Sequence, residues 1–332
     1  MDLRAIGMGL AFALMWSSAF TSARMIVADA PPLYALSLRF LISGLLGIAI
    51  AFVMGQRIKL TRGQWRATII FGICQNALYL GLNFVAMQWV QASLAAIVAS
   101  TMPLIVAFAS WAFFGERIRP LGVAGLIAGV GGVAIIMGAR MEAGVSLPGL
   151  ALCGLGVVAL SAATLSVRSA SSGGNLLMVV GLQMLIGAAC LAVVAGTTEQ
   201  WVVRWSPRLV IAFFYTTLVP GLAATWVWFE LVKRIGAVRA ATFHFLNPFF
   251  GVIIAALLLH ERLGWADGLG VAIVAFGILA VQVSRAPRRS APGGRQVFAT
   301  EITVKGRDSL GPAPAMPHHG PRTEQTRAEE PT

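Results

Sequence analysis

Ten apolar runs of membrane-spanning length dominate the sequence, at roughly 5–26, 33–54, 67–87, 92–114, 121–138, 148–167, 175–195, 209–231, 237–259 and 265–284. A helix that crosses a bilayer needs about 20 mostly apolar residues, so each run predicts one transmembrane helix. The connections are short, so consecutive helices are expected to be antiparallel neighbours with no water-soluble domain between them. Composition agrees. Of 332 residues, 58% are hydrophobic and 11% charged, against about 25% charged in an ordinary soluble domain. Collagen-like, disulfide-rich secreted and wholly disordered classes are excluded by the same figures. Cys74, Cys153 and Cys190 all lie inside apolar runs without CxxC spacing. They read as small buried hydrophobes rather than a disulfide framework or a metal site, and no cofactor is called for.

The net charge of +12 would suggest nucleic acid on a soluble protein, but here it follows topology. With the N-terminus placed inside, the inner segments carry fifteen Lys and Arg and the outer segments five. That asymmetry predicts both termini in the cytoplasm and leaves no role for nucleic acid. Residues 285–332 hold seven of the fifteen prolines and little apolar clustering, which predicts a disordered cytoplasmic tail. Met1–Arg4 ahead of an apolar run has the look of a signal peptide, yet that run has a counterpart in the second half and is structural.

That counterpart belongs to an internal repeat. Residues 95–138 align without a gap onto 240–283: Ala95–Ala96 onto Ala240–Ala241, Pro103 onto Pro248, Glu116–Arg117 onto Glu261–Arg262, and Gly125 and Gly132 onto Gly270 and Gly277. Phe84 falls on Phe229, and at an offset one shorter Ser17, Arg24 and Leu41–Ile42 fall on Ser161, Arg168 and Leu185–Ile186. Each copy holds five spans, an odd number, so the second must enter the membrane from the opposite side. The expectation is an all-α bundle of two inverted five-helix repeats, residues 1–140 and 146–284. Inverted repeats of this kind recur in secondary transporters, where two halves rock around a shared midplane site.

The residues at the punctuating positions carry a family resemblance. They are Leu14–Met15–Trp16–Ser17–Ser18–Ala19–Phe20, Leu38–Arg39–Phe40, Pro103–Leu104 to Gly115–Glu116–Arg117, Gly236–Ala237–Val238–Arg239, Leu246–Asn247–Pro248 and His260–Glu261–Arg262–Leu263. Over residues 1–284 the chain resembles the drug/metabolite transporter superfamily, specifically its EamA-type ten-helix members. The resemblance implies alternating access at a cell (inner or plasma) membrane, with both termini cytoplasmic. It also implies, commonly, export of a small metabolite such as an amino acid. Two features depart from the pattern. The glycine that often follows the first-span Trp is Ser17, and the tail is long.

Polar groups at membrane depth are costly unless paired or wet, which makes them the first site candidates. Asn76, Tyr79 and Asn83 share one face of the third span at α-helical spacing. They read either as a cavity wall or as hydrogen bonds between helices. Trp16, Ser17 and Phe20 share a face of the first span. His244, Asn247 and Pro248 cluster in the ninth, where proline frees a backbone carbonyl, and Pro103 does the same in the fourth. Arg39 sits inside the outer end of the second span, either snorkelling to water or facing a substrate carboxylate. Glu116, Arg117, Glu261 and Arg262 lie at span ends and read as an ion pair or gate latch. Gly122, Gly125, Gly129 and Gly132 make a stripe for close packing, within the bundle or in a homodimer. No acid lies at the midplane, so proton coupling would run through His244. A membrane-embedded enzyme acting on a lipid-linked substrate would need a catalytic constellation, and HExxH, GxSxG and Walker A patterns are all missing from the sequence. The bilayer and a small-molecule substrate are the expected partners, with an effluxer of drug-like cations as the other reading inside the same family.

Overall fold

The computed structural model describes residues 3–115, 117–142, 144–166, 175–235, 240 and 242–285. Glu116, Arg168, residues 236–239 and the tail from residue 286 therefore lie outside the described set. The described residues form helices and short connections, without a strand. The helices are α1 (Leu3–Asp29), α2 (Pro32–Val53), α3 (Arg62–Ala86), α4 (Ala92–Phe114), α5 (Pro120–Glu142), α6 (Leu147–Ser166), α7 (Leu176–Thr198), α8 (Pro207–Ile235), α9 (Thr242–Leu259) and α10 (Trp265–Arg285). Among the described residues nine are long and apolar enough to cross a membrane, and α9 is the shorter tenth. Residues 236–239 and 241, around the start of the predicted ninth span, are not described.

Local sequence explains where the helices start. Three of them, α2, α5 and α8, open on a proline, whose missing N–H removes nothing from a first turn. Thr61 and Gln64 close a reciprocal capping box at the head of α3. Inside the helices, hydroxyls bond back to the carbonyl four residues earlier, as Ser100, Ser161, Thr216 and Thr225 do. This satisfies them without water. Large apolar side chains such as Leu38, Leu45, Phe52, Ile127 and Val130 stand exposed on the outside. That is the surface a lipid solvent requires.

The two halves interlock rather than stand apart. Helix α1 packs on α8 and α9, and its counterpart α6 packs on α3 and α4. The equivalent helices α2 and α7 lie along each other, as do α5 and α10. Glycines set both of these contacts. A methyl group added at Gly125 would stand 2.7 Å from the Gly277 carbonyl oxygen, and one at Gly132 would stand 2.8 Å from that of Gly270. The glycine stripe of α5 is thus spent inside the bundle, which removes the sequence reason for placing it at a homodimer interface.

Irregular turns recur at matching places. Helix α4 breaks at Thr101 and restarts as Met102–Phe114; α9 opens with a 3-10 turn, Thr242–Leu246, and restarts as Asn247–Leu259. Pro103 and Pro248 fall in the first turns of these restarted segments. Each segment ends on a left-handed residue, Gly115 at φ 65° and His260 at φ 55°. A π-helical stretch runs Gly72–Leu80 in α3 and another runs Val219–Ala223 in α8. In the second, Pro220 leaves the carbonyl of Thr216 without its α-helical partner, which favours the wider turn.

Candidate functional site

A cavity of about 50 Å³ lies among α1, α2, α3 and α8, lined by Trp16, Phe20, Arg39, Gln75, Tyr79, Asn83 and Pro220 with apolar neighbours. It has room for a few water molecules. A metabolite fits only after the surrounding helices move. Its lining draws on both π-helical stretches: Gln75 and Tyr79 lie in the first and Pro220 in the second. Widened turns of this sort are enriched at functional sites because they re-aim side chains.

The π turn also splits the face expected for the third span. Asn76 points away from the cavity and donates through Nδ2 to the Gln183 carbonyl in α7 at 2.9 Å, as interhelical glue. Tyr79 and Asn83 do line the cavity. Asn83 Nδ2 donates to the Tyr79 carbonyl at 2.8 Å, while its Oδ1 has no hydrogen-bond partner. Gln75 takes a cavity place that α-helical spacing had not assigned to it. The residue is visible in the sequence as a polar group in an apolar run, but the i→i+5 turn that aims it is not.

Arg39 is the one cation in the lining. It is 6% exposed, so it does not snorkel to water. Its Nε is fully enclosed without a hydrogen-bond partner, and the guanidinium lies 5.2 Å from the centre of the Phe40 ring. A buried cation without an acid beside it is costly, and such a group marks the place where a ligand charge belongs.

The remaining candidates form a second cluster across α1. His244 Nδ1 and Asn247 Nδ2 are 2.9 Å apart. The imidazole meets Phe12 and Trp228 edge to ring, at 5.2 and 5.1 Å between centroids. Ser17 Oγ donates to the Asn247 carbonyl at 3.2 Å. Trp16 joins the two groups, lining the cavity while its ring lies 5.7 Å from Phe12. Pro103 and Pro248 mark helix restarts and line no part of the cavity, because proline in a first turn frees no carbonyl.

Among the described residues, charged groups at the span ends cap helices and pair across the bundle. Glu261 accepts from the backbone N–H groups of Ala92 and Ser93 at 2.8 and 3.1 Å, capping α4 from the opposite half. Its neighbour Arg262 is exposed, as is Arg117; Glu116 lies outside the described residues. Glu199 caps α2 in the same way, through Leu33 and Tyr34. A carboxylate is favoured at a helix N-terminus by the unpaired N–H groups and the helix dipole, and neither α2 nor α4 has a side-chain cap of its own. Arg140 in α5 pairs with Asp267 in α10 at 3.1 Å, both nearly buried, and Arg140 also bonds Gln91. Arg24 bonds the Met87 carbonyl beside the cavity rim. Single spans could not reveal these links, since each joins residues far apart in the chain.

A bundle of apolar helices enclosing a small, partly polar chamber with a buried cation defines a polytopic membrane protein built to pass a solute. The chain belongs to the EamA-like transporter family, whose model matches it twice, over residues 3–138 and 147–282. The uncharacterized transporter YvbV of Bacillus subtilis is 25% identical, over 85% of this chain and 92% of its own length. The uncharacterized inner membrane transporter YedA of Escherichia coli is 25% identical over 83% and 90%. A solved crystal structure superposes with a TM-score of 0.62 at 21% identity, covering 85% of this chain and 99% of that one. That likeness shows the fold.

Proposed function

We propose that this membrane transporter exports a small, partly apolar metabolite such as an amino acid, by alternating access around the α1–α2–α3–α8 cavity. The observation that carries the reading is the lining itself. One enclosed guanidinium shares a cavity with Trp16, Phe20 and Tyr79 inside a bundle of apolar helices. The two five-helix units, 1–140 and 146–284, are read as inverted repeats with both termini cytoplasmic. Reciprocal packing of their helices and matching π turns support that arrangement, and the basic-residue asymmetry supports the orientation. Rocking of one unit against the other would widen the contracted cavity toward each side in turn. The test is flux from proteoliposomes loaded with a panel of amino acids, organic acids and amines. Saturable, protein-dependent efflux of an amino acid is expected; movement of lipophilic cations alone would replace this reading with drug efflux.

Proton coupling is assigned to His244, the titratable side chain hydrogen-bonded to Asn247 at the restart of α9. An imposed pH gradient should drive flux in the parent protein and lose its effect in His244→Ala. Undiminished pH-driven flux in that variant removes the assignment.

A further inference from the structure

We infer that Arg39, Ser43 and the turn at Gly221 form a carboxylate subsite at the edge of the cavity, so that the transported molecule carries one carboxylate group. The inference rests on the transport reading and adds the group that must be present on the solute. Arg39 and Ser43 stand one turn apart on α2, both in α-helical backbone and both buried, at 6% and 1% exposed. Neither Arg39 Nε nor Ser43 Oγ has a hydrogen-bond partner. Both face the same small notch across the bundle. A methyl group at Gly221 would lie 3.2 Å from the Thr216 carbonyl oxygen, 3.6 Å from Ser43 Oγ and 3.7 Å from Arg39 Nη2. The missing side chain at Gly221 leaves a space there of about one methyl group, and the π turn at Val219–Ala223 brings the backbone of α8 to it.

Two donor groups, Arg39 and Ser43, converge on this notch, next to one acceptor, the Thr216 carbonyl oxygen. A guanidinium offers several N–H groups in one plane, suited to two oxygens at once, and the hydroxyl supplies one more donor. Charge balance fixes the count. One cation with no carboxylate in the lining neutralises one negative charge, so a monocarboxylate is matched and a phosphate dianion is not. The other end of the solute meets different chemistry. Asn83 Oδ1, an acceptor without a partner, can take a hydrogen from an ammonium group, and Trp16, Phe20 and Phe84 offer apolar contact.

The unliganded protein should also register the cost of the charge. Removing a buried, unpaired cation relieves a desolvation penalty, so Arg39→Met should melt at or above the temperature of the parent protein. A residue held for structure would behave in the opposite way.

The test uses the full chain purified in detergent, with phenylalanine, 3-phenylpropionate and phenethylamine as probes. Binding is read by thermal shift and by quenching of tryptophan fluorescence, and flux in proteoliposomes is measured for the same compounds. Phenylalanine and 3-phenylpropionate should bind, and phenethylamine should not. Arg39→Met should lose about tenfold or more of the carboxylate affinity, the loss expected for hydrogen bonds to a charged group. Arg39→Lys should keep part of it. Gly221→Ala, which fills the notch and leaves the charge, should weaken carboxylates again. Equal binding of phenethylamine and 3-phenylpropionate, or unchanged carboxylate affinity in Arg39→Met, overturns the subsite. If phenethylamine is carried while carboxylates neither bind nor compete, transport stands and the subsite falls. If carboxylates bind through Arg39 but no compound crosses, the subsite stands and the transport reading falls.

Discussion

The two halves of this transporter share their architecture and differ in their chemistry. Each has a helix that restarts near a proline, a left-handed cap at the end of that restart, and a π turn two helices after its first. Yet the cavity takes Trp16, Phe20, Arg39, Gln75, Tyr79 and Asn83 from the first half and Pro220 from the second. At the repeat offset, Trp16 meets Leu160, Arg39 meets Gln183 and Asn83 meets Trp228. Only Gln75 and Pro220 are equivalent positions that both reach the cavity lining. Duplication therefore supplies a scaffold whose halves fit one another, and divergence in one half supplies the polar groups that face a solute. The difference also locates the strongest restraints. They are the links that cross from one half to the other, and substitutions there break the pairing most sharply.

The largest effect is expected at the buried pair that ties α5 to α10. Arg140→Met leaves Asp267 buried without its partner and should cost about 3–5 kcal/mol, seen as a large drop in the melting temperature of the detergent-solubilised protein. Next comes the glycine contact between the same helices. Gly125→Leu drives a side chain into the Gly277 carbonyl and should cost about 3 kcal/mol, whereas Gly131→Leu, with open space around it, should be tolerated. If the two melt alike, the glycine stripe does not set this interface. Glu261→Gln weakens the charged cap that the second half lends to α4, at about 1 kcal/mol; the exposed neighbour Arg262→Gln serves as the control with no change. The smallest effect sharpens the comparison of caps. His260 is the one non-glycine residue with positive φ among the described residues. His260→Gly should raise stability by about 1 kcal/mol, while Gly115→His should lower it by a similar amount.

Much of the fold was legible because it rests on local rules. The apolar runs at 33–54, 92–114 and 265–284 match α2, α4 and α10 to within a residue or so, since a span is a matter of length and hydrophobicity. The site was legible in part. Trp16, Phe20, Arg39, Tyr79 and Asn83 stand out in the sequence as polar or aromatic groups at depth, and they share one cavity. Asn76 shared their α-helical face and was turned out of the cavity by the π stretch, while Gln75 was turned in. His244 and Asn247 belong to a separate cluster, in which His244 packs against Phe12 and Trp228 and Asn247 bonds His244 and Ser17.

The sequence by itself determined the number of spans, their duplication and the uneven distribution of basic residues between alternate connections. These are properties of composition and period, read within a few turns of helix. Only the tertiary structure decided which acids cap which helices, where the glycine stripe is buried, and that Arg39 faces a chamber instead of the membrane surface. The caps and the glycine contact each depend on a partner a hundred or more residues away, as Glu261 depends on Ala92 and Arg140 on Asp267. A charge or a small residue in lipid is placed by the neighbour that satisfies it, and packing alone brings that neighbour near.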